Sequence, residues 1–160
     1  MKILKFLLRL TFLVFLITLL SCRSQRFDPS KITMRPRVFI ENAAPVPIID
    51  EYDFIGLQIG TIDNIFTEDT GDRTYALWFT LDRRSAITLQ KESIRRRGQA
   101  LQLIIAGQVV GFHVLQQAIT NGVIPFVLSN NLTEENAMML YQELAQSITH
   151  LQAELNDKKG

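Results

Sequence analysis

Reactive side chains are scarce in this 160-residue sequence, which has one cysteine, Cys22, and two histidines, His113 and His150. A single cysteine cannot form an intramolecular disulfide, so the core must be held by apolar packing alone. No His-x-x-x-His or Cys-x-x-Cys spacing occurs, and no zinc site is therefore indicated. Lone histidines are typical of packed or surface positions. We expect no catalytic residue, no metal and no cofactor.

Phosphate-binding and calcium-binding loops are also missing from the sequence. The glycine pair Gly56 and Gly60 lies inside a strand-like pattern. The acidic residues Glu68, Asp69 and Asp72 lack the fixed ligand spacing of a calcium loop and indicate a solvated turn. The sequence therefore favours a non-catalytic protein, with a hydrolase or metal enzyme as the less favoured alternative.

The first residues lack an uncharged apolar run long enough to span a bilayer. A spanning helix needs roughly 20 apolar residues, whereas Arg9 and Cys22 leave only about a dozen between them. Lys2, Lys5 and Arg9 precede this run, as in the charged and apolar regions of an export signal. We predict a signal peptide over residues 1–21, with a permanent transmembrane anchor as the alternative.

The residues around the cysteine indicate the type of signal. The segment Leu19-Leu20-Ser21-Cys22 resembles the lipobox of bacterial lipoprotein signals. A lone cysteine in an exported chain needs a partner or a modification, and two acyl chains anchor stably where one holds only marginally. We predict lipidation of Cys22, with a free thiol after a conventional signal as the alternative. Arg23 stands where aspartate would retain many Gram-negative lipoproteins in the inner membrane, which favours the outer membrane.

Removal of the signal would change the balance of charge. The signal carries three of the 17 basic residues and none of the 16 acidic ones, so the mature chain would have 14 − 16 = −2 charges. That balance gives no general attraction to nucleic acid or anionic lipid. We expect no nucleic-acid partner, and no small-molecule substrate is indicated. The remaining 139 residues suffice for one domain with one core.

Prolines interrupt the stretch between Cys22 and Asp53, at positions 29, 36, 45 and 47. Proline removes backbone donors and favours extended structure. Residues 22–53 are therefore predicted to be a lipidated, flexible tether that holds the domain several nanometres from the membrane. Only the short apolar segment 38–40 is expected to dock on the domain, as an edge strand.

After residue 53 the hydrophobic pattern alternates between strand and helix periods. Strand-like runs occupy residues 54–66, 74–81, 100–105, 108–115 and 123–128, and helical runs occupy residues 83–97 and the segment after Thr133. Asp82 and Thr133 are suited to cap the two helices. Because the turns are too short for most parallel crossovers, residues 54–157 are predicted to form an α+β domain. We expect a ferredoxin-like antiparallel sheet with two helices packed on one face.

Three segments of the second half carry a family resemblance: Leu103-Ile104-Ile105-Ala106-Gly107-Gln108-Val109-Val110-Gly111-Phe112, Ile119-Thr120-Asn121-Gly122 and Asn130-Asn131-Leu132-Thr133-Glu134-Glu135-Asn136-Ala137. In this order and spacing they resemble the head of the first periplasmic domain of SecD, the membrane subunit that assists protein export through the Sec translocon. The resemblance covers roughly residues 55–147. It implies a shared domain and a link to protein export or envelope assembly, but no proton-driven motor.

A surface that binds polypeptide is the remaining functional candidate. Ferredoxin-like sheets offer strand edges that accept an extended chain through backbone hydrogen bonds. Val110, Phe112 and Val114 alternate along one predicted strand and are the candidate partner contacts, although side chains in this pattern more often pack in a core. The expected protein is a non-catalytic, lipid-anchored envelope protein that faces the periplasm and binds a polypeptide or partner protein. A structural lipoprotein that only docks on an unrelated envelope complex is the second candidate.

Overall fold

The computed structural model describes residues 27–63, 72–129 and 132–159. The predicted signal and lipobox, including Cys22, lie outside the described residues. So do Glu68 and Asp69 of the predicted acidic turn, and Asn130 and Asn131 of the third resembling segment.

The described residues contain six strands, which are β1 (Arg37–Ile40), β2 (Phe54–Asp63), β3 (Arg73–Leu81), β4 (Ala100–Ile105), β5 (Gln108–Val114) and β6 (Val123–Leu128). They form one sheet in the order β1-β4-β5-β6-β3-β2. Every neighbouring pair in that order is antiparallel. Strands β1 and β2 are therefore the two edges of the sheet.

Two helices, α1 (Arg83–Arg95) and α2 (Glu134–Asp157), pack on one face of the sheet. Both predicted caps are confirmed. The Asp82 carboxylate accepts a hydrogen bond from the Ser85 N–H at 2.7 Å, and the Thr133 hydroxyl accepts one from the Asn136 N–H at 3.3 Å. Buried residues of both helices join a single apolar cluster with residues of all six strands. The predicted α+β architecture, an antiparallel sheet with two helices, is confirmed.

Side-chain alternation decides which face of each strand reaches this core. In β3, Leu77, Phe79 and Leu81 are buried beneath the helices, whereas Trp78 and Thr80 are only partly buried on the other face. The Phe79 ring lies 4.8 Å from the ring of Phe54 and 5.8 Å from that of Phe126, measured between centroids. Aromatic contacts of this kind join β2, β3 and β6 at the centre of the core.

Two tight turns in the second half of the sheet lie in the segments that resemble the SecD head. Ala106 and Gly107 both have positive φ, at 50° and 80°, which suits the two-residue hairpin between β4 and β5. Gly122 has a φ of 68°, and a Cβ there would lie 2.8 Å from the Cβ of Ala86. Only glycine satisfies both requirements at that position. These segments therefore have clear structural roles.

The stretch predicted as a tether is folded onto the domain from Phe27 onward, and the predicted boundary at residue 54 is corrected. Strand β1 pairs with β4, as the edge strand expected at residues 38–40. The side chains of Val38, Ile40 and Ile49 are buried in the core. The Val38 N–H donates to the Ile49 carbonyl at 3.0 Å, so the segment that follows β1 covers the outer edge of β1. Burial of these apolar residues outweighs the extended preference of the prolines between them.

The segment before β1 is held against α2. The N–H groups of Thr33 and Met34 donate to the buried Ser147 hydroxyl at 3.2 and 3.1 Å. Further along, Arg35 donates to the buried carboxylate of Glu51 at 2.9 Å. These contacts order the chain between Phe27 and β1 across the helix.

Candidate polypeptide-binding site

The three residues predicted to bind a partner lie on β5, which is an interior strand. It pairs with β4 along its whole length, and with β6 at Gly111 and Phe112. An extended chain therefore cannot add to β5 around these two residues. Strand addition requires one of the true edges, β1 or β2. Val110, Phe112 and Val114 can contact a partner only through their side chains.

Their side chains do not share one environment. A bulge opposite Leu103 and Ile104 displaces Val110, which packs against the core cluster. Phe112 pairs with Gln102 and Val127 on the face away from the helices and is partly exposed. Val114 is 42% exposed at the end of the strand. The structure thus separates Val110, as a core residue, from Phe112 and Val114.

Phe112 belongs to an apolar surface on the face of the sheet opposite the helices. Cross-strand pairing places Phe39, Gln102, Phe112, Val127 and Ala76 in one row across five strands. We call the apolar side chains in and beside this row the open-face patch, made of Phe39, Trp78, Ile104, Phe112, Pro125 and Val127. All but Val127 are partly exposed. Apolar side chains grouped on one face in this way make the open-face patch a candidate contact surface.

The two edges of the sheet differ in their availability. Residues 48–49 cover the edge of β1, where the Ile48 N–H donates to the Val38 carbonyl at 2.8 Å. Strand β2 pairs with β3 on one side, and no described strand pairs with it on the other. The backbone groups on that second side of β2 are therefore the place where an extended chain can add.

A groove of about 880 Å³ runs between this free edge and helix α2. We call it the edge groove. Its strand wall is formed by Ile55, Gly56 and Leu57, and its helix wall carries the small side chains of Ala145, Thr149 and Ala153 at four-residue spacing. Residues four apart lie on one side of a helix. These small side chains alternate along the wall with the larger Ile148, Gln152 and Asn156, and they leave room beside the strand.

One end of the edge groove is already closed by a side chain. The Gln152 amide donates from Nε2 to the carbonyls of Tyr52 and Phe54, both at 2.8 Å. These bonds show that carbonyls at the beginning of β2 point toward the helix and take hydrogen-bond donors from that direction. The backbone N–H and C=O groups on the free side of β2 beyond Phe54 likewise need hydrogen-bond partners.

A buried ionic cluster lies at the base of the ordered N-terminal segment. The Glu51 side chain is 4% exposed and accepts from Arg37 at 2.6 Å and from Arg35 at 2.9 Å. Burial by itself would raise the pKa of Glu51, but hydrogen bonds with Arg37, Asp50 and Arg35 lower it to about 2. A carboxylate kept charged by two guanidinium groups is suited to structural pairing and unsuited to proton transfer.

The histidines lie on separate elements. His113 on β5 has its pKa lowered by burial, against an opposing hydrogen bond to the backbone of Pro125. His150 on α2 is buried, with no hydrogen-bond partner for its Nδ1. Within the described ranges, no group of three histidine, cysteine or acidic side chains could hold a metal ion. The absence of catalysis, metal and cofactor stays a prediction.

Membrane attachment through a helix has no candidate in the described part of the chain, where neither helix is long and apolar enough to cross a bilayer. The predicted signal at residues 1–21 is not among the residues to which this finding applies.

No family model matches the sequence, and no curated protein matches it. Solved structures of SecDF do match the fold. A crystal structure of SecDF in a super-membrane-facing form superposes with a TM-score of 0.50 at 14% identity, covering 76% of this chain and 19% of that one. A structure of SecDF, a membrane component that enhances protein export, gives a TM-score of 0.49 at 15% identity, covering 74% of this chain and 61% of that one.

The likeness assigns the fold class. The super-membrane-facing structure of SecDF shows that this chain has the α+β fold of a SecDF domain, as the resemblance to the SecD head predicted. The chain spans less than two thirds of either matched chain. At these identities the shared feature is the fold.

The edge groove was not predicted from the sequence. Two signals for it are visible in retrospect: the long β-type run that begins at Phe54, and the small residues Ala145, Thr149 and Ala153 beside the core stripe of the last helix. Neither signal says which strand is an edge or which helix lies beside it. That information is in the strand order together with the position of α2.

Proposed function

We propose that this chain is a non-catalytic, lipid-anchored envelope protein that binds an extended polypeptide segment in the edge groove during protein export or envelope assembly. The observation that carries the proposal is the free edge of β2 beside a helix wall of small side chains. Strand addition at such an edge takes its affinity from main-chain hydrogen bonds, and side-chain pockets add selectivity. It therefore suits partners that are unfolded and varied in sequence.

The geometry supports a particular mode of binding. The incoming strand lies antiparallel or parallel to β2, beyond the point where Gln152 closes the groove at Phe54. Its alternate side chains point toward α2, where Ala145, Thr149 and Ala153 leave space, and toward the outer face of the sheet. Ile55, which is 53% exposed at the rim, supplies apolar contact.

The anchor and the cellular role rest on different support. Cys22 is the only cysteine, and its preceding residues resemble a lipobox. We propose that the Cys22 sulfur displaces the headgroup phosphate of a phospholipid from the diacylglyceryl carbon, and the headgroup leaves as a phosphate monoester that takes up the thiol proton. The acyl chains of the resulting thioether hold the mature protein at the periplasmic surface, in the outer membrane of a host with two membranes. A link to export is supported by the fold shared with SecDF, a component that enhances protein export.

Binding in the edge groove is tested by filling it. In the detergent-solubilised lipoprotein, Thr149→Trp places a large ring in the groove, whereas Gln146→Trp places the same ring on an exposed part of the same helix. The ligand is a fluorescent, permanently unfolded polypeptide, and fluorescence anisotropy measures its Kd. We expect Thr149→Trp to raise the Kd at least about tenfold, equivalent to roughly 1.4 kcal/mol, and Gln146→Trp to leave it unchanged.

A second comparison tests strand addition itself. A short peptide that binds the parent protein is compared with two methylated copies. One copy is methylated at the odd-numbered backbone nitrogens and the other at the even-numbered ones. Methylation removes N–H donors and keeps the side chains, so binding by strand addition should be lost in one of the two methylation registers. Equal affinity for both methylated registers and the parent peptide, or equal Kd for Thr149→Trp and Gln146→Trp, would contradict binding in the edge groove.

Docking on an unrelated envelope complex remains a second candidate, and the open-face patch is the observation that favours it. A partly exposed apolar sheet face that includes Phe112 fits a folded partner better than an extended chain. Crosslinking pull-downs from intact membranes distinguish the candidates. Loss of the recovered partner in Phe112→Glu, with retention in Thr149→Trp, would favour structural docking, and the reverse would favour polypeptide binding.

A further inference from the structure

The first described residue occupies a defined place in the fold. Phe27 lines the edge groove together with Ile55 and Asn156. From Phe27 onward the chain is fixed. Asp28 caps the short turn Pro29–Lys31, and the segment that follows is bound to Ser147 of α2. The domain is therefore attached to whatever precedes it beside the edge groove.

The covalent distance from this point to the predicted anchor is short. Four residues separate Cys22 from Phe27, and a fully extended chain of this length spans no more than about 17 Å between the two Cα atoms. Part of that reach is used within the polar layer of the bilayer, which is roughly 5–8 Å thick on each side. A folded domain of this size has a radius of gyration of about 14 Å. The length of extended chain that remains outside the polar layer is thus smaller than the radius of gyration of the domain.

We infer that the domain docks against the lipid headgroups of the bilayer that holds its anchor, with the Phe27 end of the edge groove turned toward the membrane. This inference rests on the lipid anchor at Cys22 in the proposed function. It replaces the tether of several nanometres predicted from the prolines. The partner of this face is a lipid surface, and the groove opens at the level of the headgroups.

Charge supports a lipid surface as the partner. From Cys22 to Lys31 the chain has three basic residues, Arg23, Arg26 and Lys31, and one acidic residue, Asp28. This sign is opposite to the net charge of −2 of the whole mature chain. Basic residues next to a membrane anchor are attracted to anionic lipid headgroups. The cationic stretch is therefore concentrated where the chain meets the bilayer.

The docked orientation deepens the proposed function. An edge groove that opens at headgroup level is accessible to extended polypeptide that lies on, or emerges from, the membrane surface. Helix α2 extends away from this end of the groove, and Glu135 in its exposed first turn lies 21 residues, or about 32 Å along the helix axis, from Asn156. The beginning of α2 is consequently predicted to lie farther from lipid than its end.

Headgroup-attached quenchers test this orientation in the complete lipoprotein. Asn156→Cys places a fluorophore at the Phe27 end of the groove, and Glu135→Cys places it at the exposed beginning of α2. Lipidation consumes the sulfur of Cys22, so each variant has one free thiol. The proteins are reconstituted in phosphatidylethanolamine–phosphatidylglycerol vesicles with a small fraction of headgroup-nitroxide lipid. With the two labels about 32 Å apart along α2, we expect quenching at least about twofold stronger at position 156 than at position 135. Equal quenching, or stronger quenching at position 135, would overturn the inference.

A longer attachment is the matched control. Twenty glycine and serine residues inserted between Arg26 and Phe27 have a root-mean-square length of roughly 25 Å, and should remove most of the difference between the two labels. A difference that survives the insertion would overturn the argument from the short attachment. Mass spectrometry of the same samples distinguishes a missing lipid anchor from a wrong orientation. Unmodified Cys22 would overturn the anchor and this inference with it, whereas lipidated Cys22 with equal quenching would overturn the orientation and leave the anchor intact.

Discussion

Removal of the segment before Tyr52 is expected to unfold the domain. The hydrophobic pattern alone suggests that a chain beginning at Tyr52 would retain every core element, but Val38, Ile40 and Ile49 are buried in the core and belong to the removed segment. Full burial of an aliphatic side chain of this size contributes about 1.5–3 kcal/mol. Three such side chains therefore contribute about 5–9 kcal/mol, against a total stability of roughly 5–15 kcal/mol for a typical domain.

Two shortened chains make the comparison, one beginning at Phe27 and one at Tyr52. Both lack the signal and Cys22, so solubility and lipidation do not differ between them. Circular dichroism and urea melts are the measurements. The chain from Phe27 should give a cooperative transition, and the chain from Tyr52 should give none or one at much lower urea. Equal midpoints would refute the conclusion that β1 and the Ile49 segment are integral to the core.

A point substitution extends the same test to the complete mature chain. Val38→Ala removes two buried methyl groups and should cost about 2 kcal/mol of unfolding free energy. Glu41→Ala, three residues away and exposed, should change it by no more than about 0.5 kcal/mol. If the two variants were equally stable, β1 would not be packed as described.

Three further predictions concern the helix stripe, the ionic cluster and the anchor. Leu144→Ala should lower the free energy of unfolding by about 2–5 kcal/mol in urea melts, because Leu144 is fully buried. The exposed control Gln142→Ala should lower it by no more than about 0.5 kcal/mol. Equal midpoints would show that the helix face is misassigned. The lowered pKa of Glu51 stabilises the fold above the carboxyl's unfolded pKa, and this part of the stability should disappear as pH falls from about 5 to about 2. Stability of Glu51→Gln should lack that component of the pH dependence, and an unchanged profile would contradict the ionic cluster. Metabolic labelling with a fatty acid analogue should mark the parent and not Cys22→Ala. Because Arg23 follows the cysteine, density gradients should recover the parent in the outer membrane. Recovery in the inner membrane would count against that sorting.

Local patterns were sufficient to predict most elements of the fold. The alternation in β3 and the stripe around Leu144 identify core faces because each depends on periodicity within one element. The capping roles of Asp82 and Thr133 depend on residues only three positions away. The turn at Ala106 and Gly107 is likewise a local matter of backbone conformation.

Features that depend on distant parts of the chain were predicted poorly. Val38 lies among prolines that indicate a tether, and its burial arises only from pairing with Leu103, which is remote in sequence. Phe112 was selected from alternation alone, which does not reveal that β5 lies inside the sheet. The edge groove needs both the strand order and the position of α2, so the sequence pattern could not predict it.

Site-specific photocrosslinking in intact membranes tests the central claim most directly. A photoreactive amino acid is placed at Thr149, inside the edge groove, and in matched lipoproteins at Gln146 on the same helix and at Phe112 in the open-face patch. Binding of extended polypeptide in the groove predicts crosslinks from position 149 to a range of envelope polypeptides, with few from position 146. Crosslinks to a single partner from position 112, with none from position 149, would contradict polypeptide binding in the edge groove.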